Sequence, residues 1–383
     1  MSDSTTLLVG TTKGAFILNQ RPDTETWSIA GPHCDGWCIN HMTGDPNTGK
    51  IWAGGGGEWE GAGVWTSEDG GVTWTVSRLS KGQRDEWAAG DPDFAKMIDW
   101  SPWEPPFDIL QVWSLGYAHG TLFAGTKPAT LLRSNDDGQS WEKVQSLSDH
   151  PSADSWNPGG AGLVLHTIVS DPAAPEKLWL GISAAGIFAT DDGGQSWERR
   201  NRLSNAEECD HHNHPAGPSN GETGHCVHNI VRAPGDLLYQ QNHHGVYRSR
   251  DGGRSWDNIT EGLPSTFGFP IALHPRDPEM IWTIPLNGDS VGRYPPNASA
   301  AVWKSTDGGE SWTAKQSGLP AENCFFTVLR QAMATDSGAP LGLFFGTNSG
   351  SIFASFDEGE SWDEIARHLP TILSVETLAN GAA

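Results

Sequence analysis

Residues 207–228 read EECDHHNHPAGPSNGETGHCVH, and a second histidine pair follows at His243 and His244. Seven of the chain's 14 histidines fall between His211 and His244. Neutral imidazole is a ligand for zinc, iron or copper, and it also serves as a general base or as an ordinary hydrogen-bonding group. These roles separate only if the histidines converge on one point, and convergence has to come from the fold.

The elements that would position them are written in a repeat. Six octapeptides share a hydroxyl residue, then Asp, Gly, a second hydroxyl residue and Trp: SEDGGVTW (67–74), SNDDGQSW (134–141), TDDGGQSW (190–197), SRDGGRSW (249–256), STDGGESW (305–312) and SFDEGESW (355–362). A degenerate seventh, QRPDTETW, ends at Trp27. Successive tryptophans are 47, 67, 56, 59, 56 and 50 residues apart, the length of four short strands with their loops, as in a propeller blade. The octapeptide has the chemistry of a hairpin turn. Asp accepts hydrogen bonds from amides of its own turn, Gly supplies the positive φ, and Trp opens the next strand with a large apolar face.

Apolar strands recur in register around each copy. One ends near Gly, as in LLVGTTKG, LFAGT and LFFGTNSG, and an earlier one is often closed by a DP turn, as in HMTGDP and LHTIVSDP. Each unit is thus four strands, with the octapeptide joining the third to the fourth. The first unit lacks its own first strand, and PTILSVETLA (370–379) is a strand with no unit to follow. The reading is an all-β, seven-bladed β-propeller of four-stranded antiparallel blades over residues 1–383, closed by the C-terminal strand entering the first blade, which removes the open sheet edge.

The octapeptides resemble the Asp-box (bacterial neuraminidase) repeat, and the chain as a whole resembles bacterial sialidase-like proteins often labelled glycosyl hydrolases. The resemblance covers nearly the whole sequence. It implies the fold more strongly than a reaction, and it implies turns lying away from the catalytic face. Asp69, Asp136, Asp192, Asp251, Asp307 and Asp357 are therefore expected to be structural.

In a four-stranded blade the second-to-third loop and the connection to the next blade share the face opposite those turns, where long functional loops collect. The longest interruption, 77–109, is expected over that face, with Trp87, Trp100 and Trp103 capping the channel, lining a cleft or packing as a lid. The stretch 207–228 connects blades four and five, and His243 and His244 lie in the second-to-third loop of blade five. His166 and His228 stand six residues before their strand-ending prolines, in one register, whereas His41 stands five before its own. A slip of one reverses the facing side. The predicted ligands of a divalent transition metal, zinc or iron, are His166, His228 and one of His225 or His243, with His41 a further candidate. Glu58 and Glu222 are candidates to complete coordination or act as general base. The run His211, His212 and His214 reads as rim, and Cys209 and Cys226 as thiolate ligands or buried small residues.

The functional expectation is a metal-assisted, hydrolytic enzyme at the channel mouth acting on a small polar or sugar-like substrate. One alternative is a metal-free glycosidase of sialidase type, for which Tyr294 beside Arg293, with Arg330, is the available constellation. GAFILNQ carries no arginine where the family's Arg-Ile-Pro motif would sit. The other alternative is a non-catalytic ligand- or protein-binding propeller. A formal net charge of −23 argues against nucleic acid and anionic membrane as partners. Five cysteines are too few for a disulfide framework in 383 residues, and no signal-like or membrane-spanning stretch is evident, so a reduced, cytoplasmic setting is expected.

Overall fold

The computed structural model describes residues 5–21, 26–201, 223–288 and 290–378. Among them, seven four-stranded antiparallel sheets follow one another as blades. The inner strands of blades two to seven are Ile39–Gly44, Gln111–Ala118, Leu165–Asp171, Val227–Arg232, Gly268–Leu273 and Met333–Thr335. The inner strand of blade one is the C-terminal Ile372–Leu378, which pairs antiparallel with Thr6–Thr11. Each inner strand touches those of both neighbouring blades, so the ring closes as the leftover strand required. No helix among the described residues is long and apolar enough to cross a membrane.

The six octapeptides make one turn, built by one set of hydrogen bonds. In the first, the Ser67 hydroxyl donates to Asp69 Oδ1 at 2.8 Å and accepts from the Gly71 amide at 2.8 Å. The Thr73 amide and hydroxyl then donate to the two carboxylate oxygens at 2.9 and 2.6 Å. Asp136, Asp192, Asp251, Asp307 and Asp357 accept the same amide and hydroxyl pair in their own turns. The hydroxyls of Thr73, Ser140 and Ser196, followed by backbone amides, hold Asp69, Asp136 and Asp192 down to about 2. In the degenerate first copy residues 22–25 lie outside the described set.

Tryptophans tie the blades together. Trp52, Trp179 and Trp282, on the second strands of blades two, four and six, are at most 1% exposed. Each indole N–H donates to a carbonyl in the octapeptide turn of the following blade: Asp137 at 3.0 Å, Gly252 at 2.8 Å and Glu358 at 3.2 Å. A buried indole removes roughly 200 Å² from water, on the order of 5 kcal/mol before the entropy cost. Trp27 closes the ring from the other side, packing edge-on against Phe344 and stacked against Phe356 of blade seven.

The insertion after blade two folds on a hub of its own. Helices Gln83–Gly90 and Pro92–Met97 follow the outer strand Thr75–Arg78. Asp85, 1% exposed, takes both Arg78 Nη groups at 3.0 and 2.5 Å, the indole N–H groups of Trp100 and Trp103 at 2.9 and 3.0 Å, and the Gly82 amide at 3.0 Å. Burial alone would raise this carboxyl, but those donors hold it well below the ordinary carboxylate range. Trp100 and Trp103 are therefore part of the anchor. Trp87 stays largely exposed, edge-on to Trp59 at 5.3 Å.

Candidate functional site at the channel mouth

The inner strands carry a shared irregularity where they enter the channel. In blades two to five the ladder skips one residue, so that Asn40, Trp113, His166 and His228 each sit opposite no partner. In blade six the same break falls at Phe269 and Pro270. Such bulges re-aim a side chain that a regular strand would send elsewhere. His166 and His228 thus occupy equivalent positions on neighbouring blades. The equivalent of His41 is not a histidine but the position after the bulge, taken by Thr167 and Asn229.

His228 is fixed in one tautomer. Its Nδ1 lies 2.5 Å from the Gly268 carbonyl, which can only accept, so Nδ1 carries the proton and Nε2 presents a lone pair. Burial, then the charge of Arg330, pushes its pKa well below the usual value, and the Gly268 bond opposes this only in part. Nε2 faces the Cys226 thiol at 3.7 Å. The His243 ring closes the cluster from the blade-five hairpin, its backbone N–H donating to the Cys226 carbonyl at 3.0 Å. The ligand atoms of Cys226, His228 and His243 all lie within 4.8 Å of one another, the first two residues buried and the third half-buried. Phe267 packs on both histidine rings at 4.9 and 5.3 Å, and Phe269 on His228 at 4.7 Å.

A tetrahedral ion with bonds of about 2.0–2.3 Å spaces its ligand atoms about 3.5 Å apart. The Cys226–His228 separation already meets that, and the widest pair needs a movement of about 1 Å or slightly more. A thiolate with two imidazoles suits zinc or iron, with the Gly268 carbonyl orienting the His228 ring from behind.

His166 stands beside this cluster. Its Nδ1 is 2.9 Å from the Thr167 hydroxyl, and its Nε2 is buried. Burial, with Arg330 next, lowers its pKa well below the usual value, a bond to the Val227 carbonyl opposing this only in part, so the ring is neutral at pH 7. Gly181 on the next strand leaves room for it, since a Cβ there would stand 3.1 Å from Cε1. Below the histidines the channel has a polar floor. Gln331 donates to the His166 carbonyl at 2.5 Å, Thr167 bonds Asn229 at 3.3 Å, and Asn229 donates to the Arg330 carbonyl at 2.8 Å. Beyond the floor, toward the octapeptide face, lies a cavity of about 460 Å³ lined by Thr43, Tyr117, Ser170 and Arg232 among others.

The other predicted residues are distributed as follows. His41 does not join the cluster: its Nε2 is 3.1 Å from Glu376 and its Nδ1 accepts from the Leu115 amide at 3.1 Å, so both nitrogens are used. His225 is also elsewhere, its Nδ1 2.5 Å from Arg199 Nη2. Glu58 lines a separate cavity of about 310 Å³ with Gln83, Glu86 and Lys127, and has no bond to the cluster. Glu222, with Cys209, His211, His212 and His214, lies outside the described residues. Tyr294 packs edge-on against Phe325 at 5.1 Å, and its hydroxyl meets no carboxylate among the described residues. Arg293 reaches the mouth, its guanidinium 5.8 Å from the Phe269 ring.

Phe269 escapes the sequence reading, which takes Cys226 as either a thiolate ligand or a buried small residue and Arg330 only as part of the sialidase-type constellation. Cys226 stands two residues before His228, the spacing that puts side chains on one face of a strand. Phe269 stands six residues before Pro275, the count that singled out His166 and His228. Arg330 carries no such signal. It lies in the turn before the inner strand of blade seven, not on the strand itself.

No family model matches the sequence. Over 217 residues, half of this chain, it is 27% identical to an oligoxyloglucan-reducing end-specific xyloglucanase of Emericella nidulans. The match spans about a quarter of that enzyme's length. A structure of a protein from Lactobacillus plantarum superposes with a TM-score of 0.58 at 11% identity, covering 98% of this chain and 99% of that one. An ancestral GH74 enzyme superposes with a TM-score of 0.52 at 14% identity, covering 88% of this chain and 38% of its own. These structural likenesses carry the propeller fold. The sequence match adds a similarity to one glycoside hydrolase over half the chain.

Proposed function

We propose that this chain is a hydrolase working at the histidine end of the channel, with zinc or iron held by Cys226, His228 and His243 and a small polar or sugar-like molecule as substrate. One observation carries the reading: three ligand-type atoms from two segments converge within 4.8 Å, and one of them is locked with its lone pair facing the others. The sugar-like substrate is supported by the similarity to the xyloglucanase.

An ion bound there supplies a Lewis acid and lowers the pKa of a bound water. The protein residues supply the rest. His228 is held neutral and oriented by Gly268. Neutral His166, buried beside the cluster, is the group placed to accept a proton. Phe267 and Phe269 keep water from the cluster, and the Thr167–Asn229–Gln331 floor sets the depth to which a substrate enters.

The test is turnover of the full chain on a panel of chromogenic glycosides, esters and phosphoesters. Turnover should disappear with a chelator, return with zinc or iron, and be lost in His228→Ala. His166→Gln should lower kcat with little change in KM. Turnover indifferent to chelator and lost only in Tyr294→Phe would refute the reading in favour of sialidase-type chemistry. A chain inert on every substrate, with or without metal, would point to a binding propeller.

A further inference from the structure

We propose that the octapeptide end of the channel is a second binding site, for an organic ammonium with an aliphatic body, and that Glu376 is its counter-ion. The site is separate from the chemistry at the histidine end, and it uses His41, the histidine that the cluster leaves out.

The cavity of about 460 Å³ on that side ends on the Thr167–Asn229–Gln331 floor, whose hydrogen bonds cross the channel from blade four to blades five and seven. Its volume falls within the roughly 300–1,000 Å³ of small-molecule pockets. Ile168, Val231, Leu273 and Met333, from blades four to seven, give it an aliphatic wall. Blades one and two bring a polar side, with Glu376, His41 and Thr43. Thr43 stands two residues after His41 in a regular stretch of one strand, so the two share a face.

Glu376 is, among the described residues, the one carboxylate lining this cavity, and no lysine or arginine among them pairs with it. Its Oε1 takes the His41 Nε2–H at 3.1 Å. His41 Nδ1 accepts from the Leu115 amide at 3.1 Å, so the ring proton sits on Nε2 and the ring brings no positive charge to the pair. The arginine on the wall, Arg232, gives Nη2 to Asp171 at 2.5 Å and to the Gly235 carbonyl at 2.9 Å, so its charge is already met. The His41 bond thus fixes where the carboxylate points without neutralising it, and leaves Oε2 to a ligand. The Glu376 side chain is about one-third exposed, and the Thr43 and Ser170 hydroxyls on the same wall bond no described residue. A hard divalent cation needs six or more oxygens, several of them charged, which one carboxylate does not supply. An ammonium needs one carboxylate and two further acceptors for its three N–H groups, and the aliphatic wall takes the rest of the molecule. The net charge of −23 draws cations toward such a mouth. A tie between blades one and two needs only an acceptor at position 376, whereas a cation site needs the charge.

The test is calorimetric titration of the full chain, both chelator-treated and metal-loaded, with n-butylammonium, n-hexylammonium, 1-hexanol and hexanoate at constant ionic strength in sodium chloride. Wild type is expected to bind one equivalent of hexylammonium in both forms, about tenfold more tightly than butylammonium, since each buried methylene adds up to about fourfold. Hexanol should bind at least tenfold more weakly, and hexanoate not at all. Glu376→Gln keeps an acceptor for His41, so it should melt within a few degrees of wild type while losing at least tenfold in affinity. Thr43→Lys lays a resident ammonium in the cavity and should abolish binding. Should Glu376→Gln fail to fold, Thr43→Lys with an unchanged near-UV spectrum carries the test. His228→Ala, at the other end of the channel, should bind as wild type does. No ammonium binding, hexanol binding as tightly as hexylammonium, affinity unaltered by both the Glu376 and Thr43 substitutions, or affinity lost in His228→Ala overturns the proposal. Ammonium binding by a chain that takes up no metal would count against the metal reading alone and leave this site standing.

Discussion

Asp85→Asn separates the insertion from the ring it sits on. Asp85 is 1% exposed and is, among the described residues, the only carboxylate bonded to Arg78, whose side chain is about one-quarter exposed. Removing one partner of a fully buried pair costs roughly 3–5 kcal/mol, because the other charge is stranded. Water already reaches part of Arg78, so about 2–3 kcal/mol is the better expectation. An amide also loses one of its two acceptor oxygens, and with it one of the indole or amide bonds. Apart from Arg78, which ends the outer strand of blade two, the hub is built from the insertion, so the loss should appear as local opening of residues 79–109. A change of 2–3 kcal/mol raises the open population by about 30- to 150-fold. Limited proteolysis under native conditions reads that population directly, and cleavage within 79–109 should accelerate by a similar factor while the global Tm moves by only a few degrees. Unchanged cleavage in this segment, or a collapse of the whole ring at lower temperature, would refute the assignment of Asp85 as an anchor of the insertion alone.

The octapeptide carboxylates should govern acid stability. Asp69, Asp136 and Asp192 titrate at about 2 in the folded chain against 3.8 ordinarily, so the stability they confer is complete above the ordinary value and is lost as pH falls toward 2. Asn in their place should flatten the fall in Tm between pH 4 and pH 2. Trp52→Phe and Trp179→Phe should differ by about 1 kcal/mol in denaturant unfolding. The first strands the Asp137 carbonyl, whereas the Gly252 carbonyl abandoned in the second still accepts from Arg200 at 2.8 Å. Equal losses would contradict the account of the inter-blade ties. His41→Gln should leave metal content untouched while costing about 1–2 kcal/mol of stability, since Glu376 and the Leu115 amide lose their partner.

The fold was legible because its turns demand particular residues. An Asp whose two oxygens take an amide and a hydroxyl, a Gly at positive φ and a Trp to open the strand cannot be replaced by generic polar residues, so the repeat survives in the sequence. The leftover apolar strand at 372–378 was legible for a different reason: an unpaired edge needs a partner. The outer strands were not, since Glu142–Lys143, Glu198–Arg199 and Asp257–Asn258 are two residues long and exposed enough to carry little pattern. At the site, counting six residues back from a proline was sufficient to align His166 with His228, and applied to blade two it lands on Asn40, which is why His41 points to Glu376. The same count applied to blade six lands on Phe269. The approach of Arg330 to Phe269 and Cys226 could not be read this way, because it is set by how blades five, six and seven meet.

The central claim is that Cys226, His228 and His243 hold one metal ion. Elemental analysis of the purified full chain, after exposure to zinc and to iron(II) and removal of loosely bound ions, tests it most directly. The account predicts one equivalent of zinc or iron per chain, none in the Cys226→Ser/His228→Ala/His243→Ala variant, and a wild-type Tm that falls on chelation while the variant's does not. Less than stoichiometric metal in the wild type, with a Tm indifferent to chelator, would contradict it.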